Sequence, residues 1–208
     1  MEQYNKAIAI DSTNASAYYF RGNIYDALQK PDSALQDYNK ALSLNSDLAD
    51  AYYNRGIIYE LRGEYELALA DYTKAIKIKP KYTSDIYTNR GNTYQEMNNG
   101  EKALADYNKA IELDSLNMIA YCNRGNILVN MGQYDNAIND YTRAIMFDSI
   151  NADLYNKRAF TYELKKEYDS AVADYDRVID LDHRNRLKQK EKALKGMERI
   201  RTLKKHKR

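Results

Sequence analysis

ADAYYNRGIIYELRGEYELALADYTKAIKIKPKY, residues 49–82, decides the fold, because the chain rewrites this stretch along nearly its whole length. Laid against this 34-residue unit, the sequence yields five full copies: Ala15–Leu48, Ala49–Tyr82, Ser84–Asn117, Met118–Asn151 and Ala152–Asn185. Only Thr83 falls outside the frame. A half copy, Met1–Asn14, precedes the five, and a basic tail, Arg186–Arg208, follows them. Self-similarity at a fixed period of this length marks a stack of small units, none of which can bury its apolar face alone.

Each unit carries two segments with helical spacing. In the first, Tyr52, Arg55, Gly56 and Tyr59 recur as Tyr18/Arg21/Gly22/Tyr25, Tyr87/Arg90/Gly91/Tyr94, Tyr121/Arg124/Gly125/Leu128 and Tyr155/Arg158/Ala159/Tyr162. In the second, Ala68, Tyr72 and Ala75 recur as Ala34/Tyr38/Ala41, Ala103/Tyr107/Ala110, Ala137/Tyr141/Ala144 and Ala171/Tyr175/Val178. Small residues let two helix backbones approach, and tyrosines fill the space between them. Gly63 and Gly132 suit helix ends, Pro31 a helix start and Pro80 a stop. Asn14, Asn117 and Asn151 each stand where they can cap a first helix. The expectation is helix–turn–helix, repeated.

These columns resemble the tetratricopeptide repeat (TPR) family. The first aromatic column holds Tyr throughout where the family often has Trp, and the family's junction proline survives only as Pro80. The resemblance implies an all-α fold, a right-handed superhelical α-solenoid of antiparallel helix pairs, with residues 1–14 a second helix lacking its first and residues 186–208 a capping helix and tail. Tyr4, Ala7, Ile8 and Ile10 are expected on one face of the half repeat, packed on repeat one or open to self-association.

Of the 21 tyrosines, eighteen fall in four repeated columns, which reads as core; Tyr19, Tyr53 and Tyr82 are left over. The single cysteine, Cys122, forms no internal disulfide. No signal peptide and no run near the length of a membrane span is present. These features point to the cytoplasm. The chain opens in the middle of a repeat, however, and is expected to be a piece of a longer protein. Residues 184–208 hold twelve Lys/Arg against Glu191 and Glu198, whereas the remainder has twenty basic and twenty-eight acidic residues. A split of this kind carries a functional hypothesis.

Every repeat pairs an Arg (Arg21, Arg55, Arg90, Arg124, Arg158) with an Asp sixteen residues on (Asp37, Asp71, Asp106, Asp140, Asp174). The spacing predicts an ion pair between the two helices of each repeat. The basic residue three places beyond each Asp (Lys40, Lys74, Lys109, Arg143, Arg177) is expected within reach of it.

The resemblance places function on an inner face built from the first helices. The candidate peptide-binding residues there are Tyr19, Asn23, Tyr53, Asn54, Asn89, Asn92, Asn123, Asn126, Lys157 and Phe160. An Asn amide both donates and accepts, so a ladder of them can hold an extended backbone through repeats two to five; the other reading is amides that meet only water. The lining is acidic, with Asp26, Asp50, Glu60, Asp85, Glu96, Asp153 and Glu163 against Lys157. The chaperone-binding branch of the family holds a terminal carboxylate with two Asn plus Lys and Arg. Asn92, Asn123 and Lys157 match that pattern, but Thr88 and Asp153 stand where lysines are wanted. In the first three repeats Asn23 and Asn54 remain, with Tyr19, Asp85 and Asn89 at the basic positions. A carboxylate tail is therefore disfavoured, and basic or neutral peptides are expected.

In the tail, Leu187, Leu194, Met197, Ile200 and Leu203 recur at near-helical spacing. Three readings are open: a capping helix, a basic arm for nucleic acid or an anionic surface, and a strap onto the acidic face. Catalysis is not expected. The two histidines, His183 and His206, stand apart, no Cys/His cluster has metal-ligand spacing, and no phosphate-cradling loop is present. No cofactor is implied.

Overall fold

Tyrosine, alanine and glycine in fixed columns produce helices that meet in pairs, as the computed structural model shows. It describes residues 1–79, 84–181 and 187–205, the side chains of Leu187, Lys188 and Lys205 excepted. Pro80, Tyr82, Thr83, His183 and His206 lie outside the described residues. Among the described residues every regular element is an α-helix. The half repeat is α1 (Glu2–Ile10). Five pairs follow: α2 (Ala15–Ala27) with α3 (Pro31–Leu44), α4 (Ala49–Leu61) with α5 (Tyr65–Ile78), α6 (Ser84–Glu96) with α7 (Gly100–Leu113), α8 (Met118–Asn130) with α9 (Tyr134–Phe147), and α10 (Ala152–Leu164) with α11 (Tyr168–Leu181). The tail forms α12 (Leu187–Lys205). The chain divides into two compact units, Met1–Leu113 and Asp114–Arg208.

Helix starts follow local chemistry. The Asn14, Asn117 and Asn151 side chains accept from the backbone N–H of Ala17, Ala120 and Asp153, so each satisfies an otherwise orphaned donor. Pro31 opens α3 where no backbone N–H is needed. The turns within pairs need left-handed backbone. Gly63 and Gly132 have φ of +74° and +72°, and Gln29, Asn98 and Lys166 adopt φ of 56°, 57° and 66° at the same column.

The pairs close tightly because the first helix carries glycine opposite a tyrosine. A Cβ on Gly22, Gly56, Gly91 or Gly125 would stand 2.7–2.8 Å from Cε1 of Tyr38, Tyr72, Tyr107 or Tyr141. Those rings, with Tyr175, are 0–2 % exposed. In repeat five Ala159 replaces the glycine, and the close approach to Tyr175 belongs to Gly196 of α12.

All five expected Arg–Asp pairs form, each bidentate, with Nε and Nη2 donating to the two carboxylate oxygens at 2.6–2.8 Å. The carboxylates are only 4–6 % exposed, deep enough to require a partner. Their own-helix basic residues do not join them: Lys40 and Lys74 are exposed, and Lys109 turns to Glu112. Nη1 of the arginine instead reaches back to the preceding repeat, from Arg21 to Asn5, Arg55 to Asn39, Arg90 to Thr73 and Arg158 to Thr142. Tyrosines flank the guanidinium, for example Tyr52 and Tyr59 at 5.5 and 5.7 Å from that of Arg55.

Two apolar faces differ from expectation. In α1, Tyr4, Ala7 and Ile8 are half-buried and Tyr4 stacks on Phe20, but Ile10 is 87 % exposed. Two residues beyond Ile8, it is turned about 200° around the helix. In α12 the buried row is Ala193, Gly196 and Ile200 with Met197 beside it, while Leu194 and Leu203 are exposed. Close approach to Tyr175 requires a small residue at Gly196.

Candidate functional site

A buried hydroxyl has to find an acceptor, and this requirement shapes the first-helix face. In the first unit Tyr38 donates to Asn23 Oδ1 at 2.8 Å and Tyr107 to Asn92 Oδ1 at 2.8 Å. In repeat two Ile57 stands where the asparagine would be, and Tyr72 donates to Glu60, three residues further on, at 2.5 Å. Gln95 occupies that second position in repeat three and takes a longer 3.2 Å share of Tyr107. Burial pushes the Tyr72 phenol up, and it pushes the Glu60 carboxyl up as well, with Glu96 adding to the effect.

Lateral links join neighbouring first helices in the same unit. Asn54 Nδ2 donates to Asn23 Oδ1 at 3.0 Å, and Asn89 Nδ2 donates to the Tyr53 hydroxyl at 3.0 Å. Tyr19 lies beside Phe20 and Tyr38, with ring centroids 5.1 and 6.2 Å away. Tyr19, Asn23, Tyr53, Asn54, Asn89 and Asn92 are all half-buried, and the structure brings them together as a polar rail between aromatic rings. Asp26, Asp85 and Glu96 are exposed beside it, and Asp50 is exposed but paired with Lys79 at 2.8 Å.

In the second unit Tyr141 donates to Asn126 at 2.8 Å, and Asn123 is half-buried on the same helix. Lys157 is held by Asp153 at 3.0 Å and donates to Cys122 Sγ at 3.2 Å. Phe160 fills the asparagine column of repeat five and stays 45 % exposed, so Tyr175 donates to Glu163 at 3.1 Å.

The tail helix completes this end of the unit. It packs on α11 and α10, and it also reaches the acids of repeat five. Arg199 forms a two-pronged pair with Glu163 at 2.9 Å, and Gln189 Nε2 donates to Asp153 at 3.1 Å. Asn156 donates to Gln189 at its side chain and backbone oxygens, 2.9 and 3.1 Å away. Between α10 and α12 lies a cleft of about 300 Å³, lined by Asp153, Asn156, Lys157, Phe160, Tyr175, Lys192, Lys195 and Arg199. The α12 members were not among the sequence candidates. The signal for them is the spacing of 192, 195 and 199, which places three cations on one helix face.

Among the described residues no three of His, Cys, Asp and Glu gather to hold a metal ion, and no helix is long and apolar enough to cross a membrane.

Tetratricopeptide repeat models match residues 15–48, 49–82 and 84–115; others match 106–139 and 152–185, and a TPR repeat model matches 125–166. No curated protein matches. Among solved structures, YrrB, described as a TPR protein with an unusual peptide-binding site, is 26% identical with a TM-score of 0.80, over 94% of this chain and 97% of its own. MamA from Desulfovibrio magneticus is 17% identical (TM-score 0.76; 83% and 97% covered), and Pseudomonas aeruginosa pilF is 19% identical (TM-score 0.77; 90% and 84% covered). The last two carry the fold alone.

Proposed function

The chain belongs to the tetratricopeptide repeat family, and on that premise we propose that the first-helix face holds an extended or helical peptide, basic or neutral, through its asparagines. Proteins of this family are generally non-catalytic, and this chain is a scaffold for protein–protein interaction. The observation that supports the finer reading is the rail of the first unit. Asn54 and Asn89 are held by Asn23 and Tyr53 on neighbouring helices, so part of their ordering cost is met before a ligand arrives. The exposed carboxylates of Asp26, Asp85 and Glu96 favour Lys or Arg in the partner. Tyr19 and Phe20 offer aromatic surface beside them. YrrB, a relative with a peptide-binding site in its description, agrees with a peptide as the ligand class.

Fluorescence anisotropy of labelled peptide pools sorted by charge tests this. Basic and neutral pools bind, and Asn54→Ala with Asn89→Ala weakens them by roughly tenfold, the scale of one or two lost hydrogen bonds. These two asparagines are the right targets because Asn92 and Asn126 also hold buried tyrosines. Binding of acidic pools or nucleic acid alone, unchanged in the variant, sinks the reading and moves the site to Arg186–Arg208. Phosphate binding is recognised by its steep log-linear loss with salt.

A further inference from the structure

We propose that the cleft between α10 and α12 is a second binding site, one that takes an acidic peptide segment carrying a large apolar side chain among its carboxylates. It takes Lys157 and Phe160 from the first-helix candidates, adds α12, and does not rest on the basic-peptide reading above, which stands on the rail of the first unit. The first observation is Phe160. Three repeats place asparagine at this column, where it accepts from the buried tyrosine. Phenylalanine removes that acceptor and leaves its own ring 45 % exposed in the cleft, so the core gains little from it. Glu163 has to replace the lost acceptor, and Arg199 pairs with Glu163 in turn. An exposed ring lining a cleft is a place for an apolar side chain.

The second observation is charge. Lys157, Lys192, Lys195 and Arg199 line the cleft against one lining carboxylate, Asp153. Lys157 and Arg199 are held by acids of repeat five, and Lys195 reaches Glu191 across a largely exposed pair. Lys192 makes no ion pair among the described residues and is exposed at the mouth. Ligand carboxylates compete easily for Lys192 and Lys195, because an exposed pair such as Lys195–Glu191 is weak.

The third observation is Asn156, which lines the cleft and is 7 % exposed. Its Nδ2 is satisfied by Gln189, whereas its Oδ1 is the buried side-chain acceptor left without a partner among the described residues. An unmet acceptor in a residue that lines the cleft is a group that a peptide N–H would satisfy. At about 300 Å³ the space accepts one large side chain with its flanking backbone. A nucleic-acid strand fits less well, since stacking along a strand takes several exposed rings and the cleft offers one, Phe160.

The test is anisotropy of the full chain with a labelled Glu-Glu-Phe-Glu-Glu peptide, acetylated and amidated so that no terminal carboxylate is present. Controls replace Glu by Gln, or Phe by Gly. The acidic aromatic peptide is expected to bind at least about tenfold tighter than either control. Lys192→Glu with Lys195→Glu removes about tenfold, while the melting curve and the binding of a lysine-rich pool stay as in the parent; Phe160→Ala separately removes about tenfold of the acidic-peptide binding. Equal binding of the three peptides, or binding kept in both variants, overturns the proposal. So does an oligothymidylate of about ten nucleotides that binds tighter than the peptide and is lost in the Lys192/Lys195 variant, because the cleft is then a nucleic-acid site. Loss of lysine-rich binding in the Asn54/Asn89 variant bears only on the rail of the first unit.

Discussion

Lys166 holds left-handed backbone with φ of 66°, at the turn where repeats two and four use glycine. A side chain in that conformation costs about 1–2 kcal/mol. Lys166→Gly is therefore expected to stabilise the second unit by about 1 kcal/mol, after the greater freedom of glycine in the unfolded chain is set against it. A thermal melt reads this as a rise of about 2–4 °C. The pair Arg90–Asp106 behaves in the opposite way. Asp106→Ala leaves a half-buried guanidinium without its carboxylate and is expected to cost about 3 kcal/mol, whereas adding Arg90→Leu restores most of that, as denaturant titration of the three variants shows. Glu60 gives a pH signature. Its folded-state pKa is raised, so the group favours folding most at pH values below the ordinary carboxylate range. That contribution is lost as pH rises through the raised value. Glu60→Gln keeps an acceptor for Tyr72 and removes the loss. The variant is expected to melt about 1–2 °C higher than the parent at pH 7, with the gap closing toward pH 4. The Arg–Asp ladder is legible in the sequence because both partners repeat at one spacing. The exchange of Asn for Glu as the tyrosine's acceptor is not, because it depends on which first-helix residue the hydroxyl meets once the ring is buried.

Helix order, caps and turns are legible from local chemistry, since an Asn before a first helix or a Gly after it acts within a few residues of itself. The buried face of α12 is legible only in part, for Met197 and Ile200 are covered as their hydropathy suggests. Hydropathy points to Leu194 and Leu203, but contact with Tyr175 is governed by distance of approach, which favours Ala193 and Gly196. A Cβ on Gly196 would lie 2.4 Å from Tyr175 Cζ. Gly196→Ala thus sets a gain of about 1 kcal/mol in helix propensity against an overpacking cost of about 1–3 kcal/mol. The expected net result is a loosened α12, seen as faster amide exchange over residues 189–203 and earlier proteolytic release of the tail.

At the scale of the molecule, stability in such an array is a sum over repeats and their neighbour contacts within each unit. The half repeat α1 has no fully buried residue and packs chiefly on α2. Amide exchange is expected to be fastest in α1 and slowest in α3, α5 and α7, whose tyrosines are sealed; equal protection along the first unit would contradict this. The split of charge between the body and residues 184–208 is visible in the sequence, but its use is not. Only the fold shows that Lys192, Lys195 and Arg199 close a cleft with Phe160. One further consequence concerns copying. The third nitrogen of Arg21, Arg55, Arg90 and Arg158 is received by Asn5, Asn39, Thr73 and Thr142 on the repeat before each, so either Asn or Thr fills the role. The joints are thus interchangeable parts: an internal repeat can be duplicated or excised in the gene without stranding a guanidinium, so an array of this kind can change length by recombination before any new sequence has to evolve.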